Sequence, residues 1–521
     1  MNKKTYTIFI SLVVALGGFL LGFDSAVISG ATPFYRETFG LNSGSMLIGF
    51  SVSSLILGAI LGNIVAGGMA DRFGRRKVLM ATALLFVISA VYTAFSYDIV
   101  SFIAARIIGG LGVGMAILIA PMYIAEIAPR KLRGTLVTFN QLNIVLGISI
   151  AYFSNYYFQQ TISDPDLKWR LMLGVEAVPA LLYFLLLFFV PRSPRWLMQK
   201  GLDIEGISVL AKIHGKEQSN IEYNEIRSSL NSETQKEKAR WADVFSKRMK
   251  TVLIIGFGIA FFQQITGINA IFYYAPMIFE MAGGGKDAAF MQAAILGVTN
   301  VVMTVVAMFL IDRLGRKPLL YIGAIGISIS LAIVGFSFGS AKYTIDNKSM
   351  ATLTEEVQNM NITPIHIENI NKLSQIKGNS FASEVAFFEI VKQTVGVDTY
   401  NSLKEIILKH SISVNPVWIL IGLIMFVASF AISMGPVMWA LLSEIFPNKL
   451  RGLAISIVGF WNSIVSFSVA TIFPAQLEYM GSSTTYFIYS FFGILTLVFV
   501  WRFVPETKGK SLEELEAKLI K

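Results

Sequence analysis

Met122-Tyr-Ile-Ala-Glu126-Ile-Ala-Pro129-Arg-Lys-Leu-Arg133-Gly134 returns later in the chain as Leu441-Leu-Ser-Glu444-Ile-Phe-Pro447-Asn-Lys-Leu-Arg451-Gly452, with Glu, Pro, Arg and Gly at the same mutual spacing. A second phrase, Asp71-Arg-Phe-Gly74-Arg75-Arg76-Lys77, returns as Asp312-Arg-Leu-Gly315-Arg316-Lys317. The first pair is offset by 318 residues and the second by 241, so the later copy has gained 77 residues between its two phrases. Two such repeats in the same order predict a chain of two similar halves.

The halves are membrane-embedded. Of 521 residues, 54% are hydrophobic and 15% charged, and the mean hydropathy is +0.62, more apolar than a water-facing surface tolerates. Apolar runs at 8–28, 46–69, 78–95, 102–124, 136–158 and 171–190 precede a polar stretch, and runs at 252–278, 289–311, 319–338, 417–442, 453–473 and 486–504 follow it. They are too long for strands and lack the alternation of a barrel, so they read as twelve spanning helices. The expected fold is an all-α membrane protein of the major facilitator kind, with two pseudo-symmetric six-helix halves and a substrate site at the midplane between them.

Residues 1–190 make the first half, 191–250 a charged linker with short helices, 251–504 the second half and 505–521 a tail. The extra length of the second half lies at 341–413, between the ninth and tenth spans, and its amphipathic phrases predict a small helical cap.

Charge placement sets the topology. Arg72, Arg75, Arg76 and Lys77, then Arg130, Lys131 and Arg133, then Arg313, Arg316 and Lys317, then Lys449 and Arg451 all fall on one side. The bias places both termini in the cytoplasm, and the chain is expected in the cytoplasmic (inner) membrane. The excess of 43 Lys+Arg over 33 Asp+Glu is therefore assigned to topology, and no nucleic-acid partner is expected. The lack of cysteine excludes disulfides and thiolate chemistry, and the three histidines have no partner at metal-ligand spacing, so neither metal nor cofactor is expected. No nucleophile–base–acid arrangement appears, and Gly509-Lys510-Ser511 has Val504 where a phosphate loop needs its leading glycine, which argues against an enzyme and against ATP-driven transport.

Six phrases carry a family resemblance: Asp71-Arg-Phe-Gly-Arg-Arg, Arg106-Ile-Ile-Gly-Gly, Pro191-Arg-Ser-Pro-Arg195-Trp, Gln263-Gln264-Ile-Thr-Gly-Ile-Asn269, Gly435-Pro436-Val-Met-Trp439 and Pro505-Glu506-Thr-Lys-Gly509. Together they resemble the sugar porters of the major facilitator superfamily over all twelve spans, nearest to bacterial proton-coupled xylose symporters. The resemblance implies a transporter whose partners are a monosaccharide, a proton and the lipid bilayer. Nothing in the sequence fixes the oligomeric state; a monomer is compatible with it.

A neutral, hydroxyl-covered sugar needs amides that donate and accept, and aromatic faces for its C–H surface. The spans supply Gln141, Gln263, Gln264, Asn269, Tyr273, Asn300, Trp439 and Trp461. Asn269 and Tyr273 share a face at i, i+4, whereas both glutamines join them only if the helix breaks, which Gly267 permits. Buried amides also serve simply as helix glue. By resemblance the eight positions match sugar-contacting positions of the family. Two departures, Leu21 and Phe460, stand where xylose symporters carry phenylalanine and glutamine, which makes one side of the pocket less polar and leaves glucose, galactose and arabinose open beside D-xylose.

Asp24 and Arg106 are the costliest residues in the bundle, about 2.5 kcal/mol or more each at mid-depth unless paired. A static salt bridge and a proton-binding site both account for them. Resemblance implies the proton site, because proton-coupled porters carry an aspartate here and animal facilitators an uncharged residue; uniport remains the alternative. Asp71, Arg75, Glu126 and Arg133, with their repeats Asp312, Arg316, Glu444 and Arg451, are expected to form a charge network that gates the inner mouth. Arg192 departs from the family, which usually has an acid there.

Overall fold

The computed structural model describes residues 3–41, 46–129, 133–213, 215–235, 241–358, 364–381, 383–447, 449–510 and 512–519. Among these, ten helices are long and apolar enough to cross a membrane. They are α1 (Lys3–Thr38), α2 (Met46–Phe73), α3 (Arg75–Ala94), α4 (Ile99–Ile127), α6 (Pro165–Phe189), α7 (Lys247–Met281), α8 (Lys286–Leu314), α9 (Arg316–Gly339), α10 (Pro416–Ile445) and a 53-residue helix, Arg451–Phe503. That last helix is two passes. Gly481, at φ 76°, breaks it into α11 (451–480) and α12 (482–503). The remaining pass is α5 (Arg133–Thr161), 29 residues long and containing the apolar run at 136–158. Twelve passes result, as the apolar runs predict. Their ends differ from prediction, because helices such as α1 continue past the apolar stretch into the polar interface.

Within the first half, glycines set the closest approaches. A Cβ at Gly110 of α4 would lie 2.1 Å from the Leu55 carbonyl of α2, and one at Gly58 of α2 would lie 2.2 Å from the Ile107 carbonyl of α4. Only a residue without a side chain fits, which is the small-residue logic of membrane helix pairs.

The halves meet through α2 against α11, α5 against α8, and α1 against α7. Contacts cluster toward one end of the bundle, called here the cap face. Ser53 and Thr471 share a hydroxyl hydrogen bond (2.6 Å), the Tyr152 hydroxyl donates to the Phe272 carbonyl (2.6 Å), and Gln159 donates to Asp287 (3.0 Å). At the opposite, basic face, Gly67 and Gly68 of α2 and Gly452 of α11 border open space. The named hydrogen bonds between the halves thus lie toward the cap face, and open space borders these three glycines toward the basic face.

Residues 341–413 fold as a cap with its own apolar core, including Tyr343, Leu353, Phe387, Val391 and Ile407. Helices Asn347–Gln358, Pro364–Asn371, Glu384–Val395 and Val397–Ser411 dominate it. A small antiparallel sheet, with Lys342–Thr344 between Ser380–Phe381 and Ile412–Ser413, ties its two ends together, an element absent from the sequence-based expectation. The cap docks on the α11–α12 break: Glu384 accepts from the Ser482 backbone N–H (3.0 Å) and Lys404 pairs with Glu478 (3.6 Å). At the basic face the linker folds into helices Pro194–Gln199, Asp203–Ile213 and Lys216–Gln235.

Candidate functional site

Gly267 adopts φ 91° and splits α7 into Lys250–Ile265 and Ile268–Met281. Only glycine takes this conformation cheaply. The break turns the side chains on either side toward one another. Gln263 donates to the Met434 carbonyl of α10 (2.9 Å), Gln264 donates to Gln263 (3.2 Å), and Asn269 donates to Gln264 (2.9 Å) and to Ser466 of α11 (2.6 Å). Asn462 closes the network, accepting from Gln264 (3.1 Å) and donating to Gln263 (2.9 Å) and to the Ala260 carbonyl (3.0 Å). Met434 is placed by a second break, at Ser433, which interrupts α10. Three helices of the second half thus share one amide cluster, with Asn462 and Ser466 added to the residues read from the sequence.

The other candidates do not join the bonds of this cluster. Tyr273 is buried on the second part of α7, which packs against α1 across the junction of the halves. Asn300 is buried on α8, and Gln141 is half-buried on α5, the helix that packs against it. Trp461 meets Phe257 edge-on at 6.2 Å, and Trp439, beside Gly459, is exposed. Leu21 is half-buried, and Phe460 is exposed on the α11 helix. The second half therefore holds a prearranged cluster of amides that both donate and accept hydrogen bonds, the kind of group a small polyhydroxylated ligand needs.

In the first half the Asp24 carboxylate receives an ion-paired hydrogen bond from Arg106, whose other terminal nitrogen donates to the Asp24 carbonyl (3.3 Å). Both residues are buried, and Gly109 leaves room for the pair, since a Cβ there would lie 3.0 Å from Asp24 Oδ2. Among the described residues neither Asp24 Oδ2 nor Arg106 Nε has a hydrogen-bond partner. A buried pair with unsatisfied atoms on both sides is a costly way to join two helices. Glu176, buried where α6 breaks, lies within electrostatic reach of both. Sequence reasoning passed over it, although an acid inside the sixth apolar run was a signal of the same kind as Asp24.

At the basic face the repeated charges pair within each half. Arg75 reaches Asp71 (3.1 Å) and Glu126 (3.0 Å); Arg316 reaches Asp312 (3.4 Å) and Glu444 (2.7 Å). Arg451 donates to the Phe446 carbonyl (3.2 Å). The Arg133 side chain lies outside the described residues. Ser193 donates to Glu126 (2.5 Å) and Thr507 to Glu444 (2.5 Å), so the segments after α6 and α12 anchor the two clusters alike.

Twelve passes in two related halves define a membrane carrier of the major facilitator superfamily. The family described as "Sugar (and other) transporter" matches residues 10–354 and 399–519, and the unmatched stretch lies inside the cap. The chain is 34% identical over 523 residues to the arabinose-proton symporter of Bacillus subtilis (strain 168), covering 100% of this chain and 96% of that protein. It is 35% identical over 550 residues to the D-xylose-proton symporter of Escherichia coli (strain K12), covering 99% and 96%. Among solved structures, the inward open xylose transporter XylE from E. coli matches with a TM-score of 0.73 at 34% identity, covering 98% of this chain and 100% of that one. The same symporter bound to 6-bromo-6-deoxy-D-glucose matches at 0.69 and 33%, covering 99% and 100%. The chain belongs to the sugar porter family and is a transporter, not an enzyme.

Proposed function

We propose that the protein takes up a monosaccharide together with a proton across the cytoplasmic membrane by alternating access, with D-xylose as the leading candidate. The observation that carries this reading is the buried, incompletely satisfied Asp24–Arg106 pair, an arrangement suited to an acid that is neutralised and recharged. Relatives described as arabinose-proton and D-xylose-proton symporters support it. The amide wall of Gln263, Gln264 and Asn269, with Gln141, Tyr273, Asn300, Trp439 and Trp461 around it, is the proposed sugar site. The less polar flank at Leu21 and Phe460 keeps glucose, galactose and arabinose as candidates, and a relative described as a glucose transport protein supports that breadth.

With the basic face assigned to the cytoplasm, as the Lys/Arg bias favours, the described conformation is the inward-open one, and the Asp24–Arg106 contact belongs to the state after release. A proton arriving from outside neutralises Asp24 and weakens its hold on Arg106; sugar binding between the halves lets them rock inward; both ligands then leave. The clusters around Arg75 and Arg316 close the inner mouth when the halves approach there.

The test is sugar-dependent proton uptake by proteoliposomes across a panel of pentoses and hexoses. Xylose is expected to drive the largest proton flux. Sugar movement without proton movement would identify a uniporter and end the coupled reading.

A further inference from the structure

The basic face holds an asymmetry between otherwise matching halves. α3 begins at Arg75 after Gly74 (φ 88°), and α9 begins at Arg316 after Gly315 (φ 92°). Ser193 and Thr507 bond their respective glutamates in the same way. The residues just before them do not match: Glu506 in one half, Arg192 in the other.

In the second half Glu506 lies across the start of α9. Its carboxylate accepts from the backbone N–H groups of Arg316 (3.2 Å) and Lys317 (3.0 Å), and a Cβ on Gly315 would meet it at 2.9 Å. An anion seated on the first N–H groups of a helix satisfies donors that have no partner within the helix. In the first half the ring of Trp196 takes the place against the glycine, 3.2 Å from where a Cβ on Gly74 would lie, and beside it is a cavity of about 210 Å³ bordered by Gly74, Arg76, Lys77, Arg192, Ser193 and Trp196.

The charges around this cavity are not all neutralised from within. Arg75, which also lines it, is engaged by Asp71 and Glu126. Arg192 meets Glu205 at 3.4 Å, but both are more than 40% exposed, so the pair is weak. Among the described residues Arg76 donates to the carbonyls of Leu187 (3.1 Å) and Phe188 (2.8 Å), which carry no charge to cancel its own. Among the described residues, neither Arg76 nor Lys77 has a carboxylate within ion-pair distance.

We propose that this cavity, beside the Trp196 ring at the start of α3, binds a phosphate group, supplied by a ligand, in the half that has no counterpart of the Glu506 carboxylate. Arg192 and Lys77 supply the charge, and the start of α3 supplies backbone donors. The bound anion ties the segment after α6 to α3 and, through Ser193 and Glu126, to Arg75. A phosphorylated solute and an anionic lipid headgroup offer the same chemistry.

The test uses the full-length protein. Thermal unfolding in detergent is titrated with inorganic phosphate against chloride at matched ionic strength, for the native chain, Arg192→Glu and Lys77→Gln. A parallel arm compares vesicles of phosphatidylglycerol with vesicles of phosphatidylcholine. Native protein is expected to gain stability saturably with phosphate, with phosphatidylglycerol, or with both, and the pattern identifies the source. Arg192→Glu, which restores the carboxylate, is expected to unfold at a higher temperature without phosphate and to respond about tenfold more weakly to it. Lys77→Gln is expected to weaken the response while leaving the phosphate-free midpoint near native, so it carries the test if Arg192→Glu does not fold. Equal responses to phosphate and chloride, or responses unchanged in both variants, would overturn the proposal.

Discussion

Replacing Asn462 by leucine tests whether the amide cluster serves binding or only holds helices together. Leucine has similar bulk, so the perturbation is chiefly polar. It removes three hydrogen bonds, one to the Ala260 carbonyl and one to each of Gln263 and Gln264. Interhelical hydrogen bonds in membranes average about 0.6 kcal/mol each, so roughly 2 kcal/mol of stability should go. The effect on binding is separate. Both glutamines lose one of the partners that orient them, and re-immobilising two such side chains on a sugar costs about 1 to 2 kcal/mol, or roughly a 5- to 30-fold rise in Kd. Tryptophan fluorescence or calorimetry on purified protein, beside a thermal melt, reads both quantities. A lowered melting temperature with an unchanged Kd would refute the reasoning and leave the cluster as helix glue.

Two further predictions concern groups outside the spans. Burial pushes the Glu506 carboxyl up, but the N–H groups of Lys508, Arg316, Lys317 and Thr507 outweigh it and hold it below its ordinary value of 4.5. The stabilisation is therefore present above that value and lost as pH falls through the folded one, so Glu506→Gln should be less stable than native at neutral pH, by about 1 kcal/mol, with the gap closing in acid in thermal melts. In the cap, burial outweighs the Ser482 and Lys404 contacts and lifts the Glu384 carboxyl above 4.5. Its contribution is complete below that value and declines as pH rises through the folded one, so limited proteolysis should cut the native cap faster as pH rises, and Glu384→Gln should flatten that dependence.

The architecture was legible because it is written twice: Glu126 with Glu444 and Asp71 with Asp312 fixed both the duplication and the size of the insert. Gly267 was legible for a different reason, since only a break lets Gln263, Gln264 and Asn269 converge, and the structure places φ 91° there. Asn462 was not, because its partners lie about two hundred residues away and its neighbour Trp461 was the stronger sugar-site signal. Glu176 was hidden inside an apolar run whose average masks one acid. The cap's strands are two or three residues long, too short for any periodicity to register. Glu506 read only as part of a tail motif; its seat on α9 depends on folding that brings residues 190 positions apart into contact.

Asp24→Asn, reconstituted into liposomes, probes the coupling directly by comparing sugar exchange at equilibrium with uptake driven by an imposed proton gradient. Exchange should persist, because the amide is permanently uncharged and the sugar wall in the second half is untouched, while accumulation above the external concentration should disappear. Accumulation at native levels in that variant would show that the proton travels elsewhere.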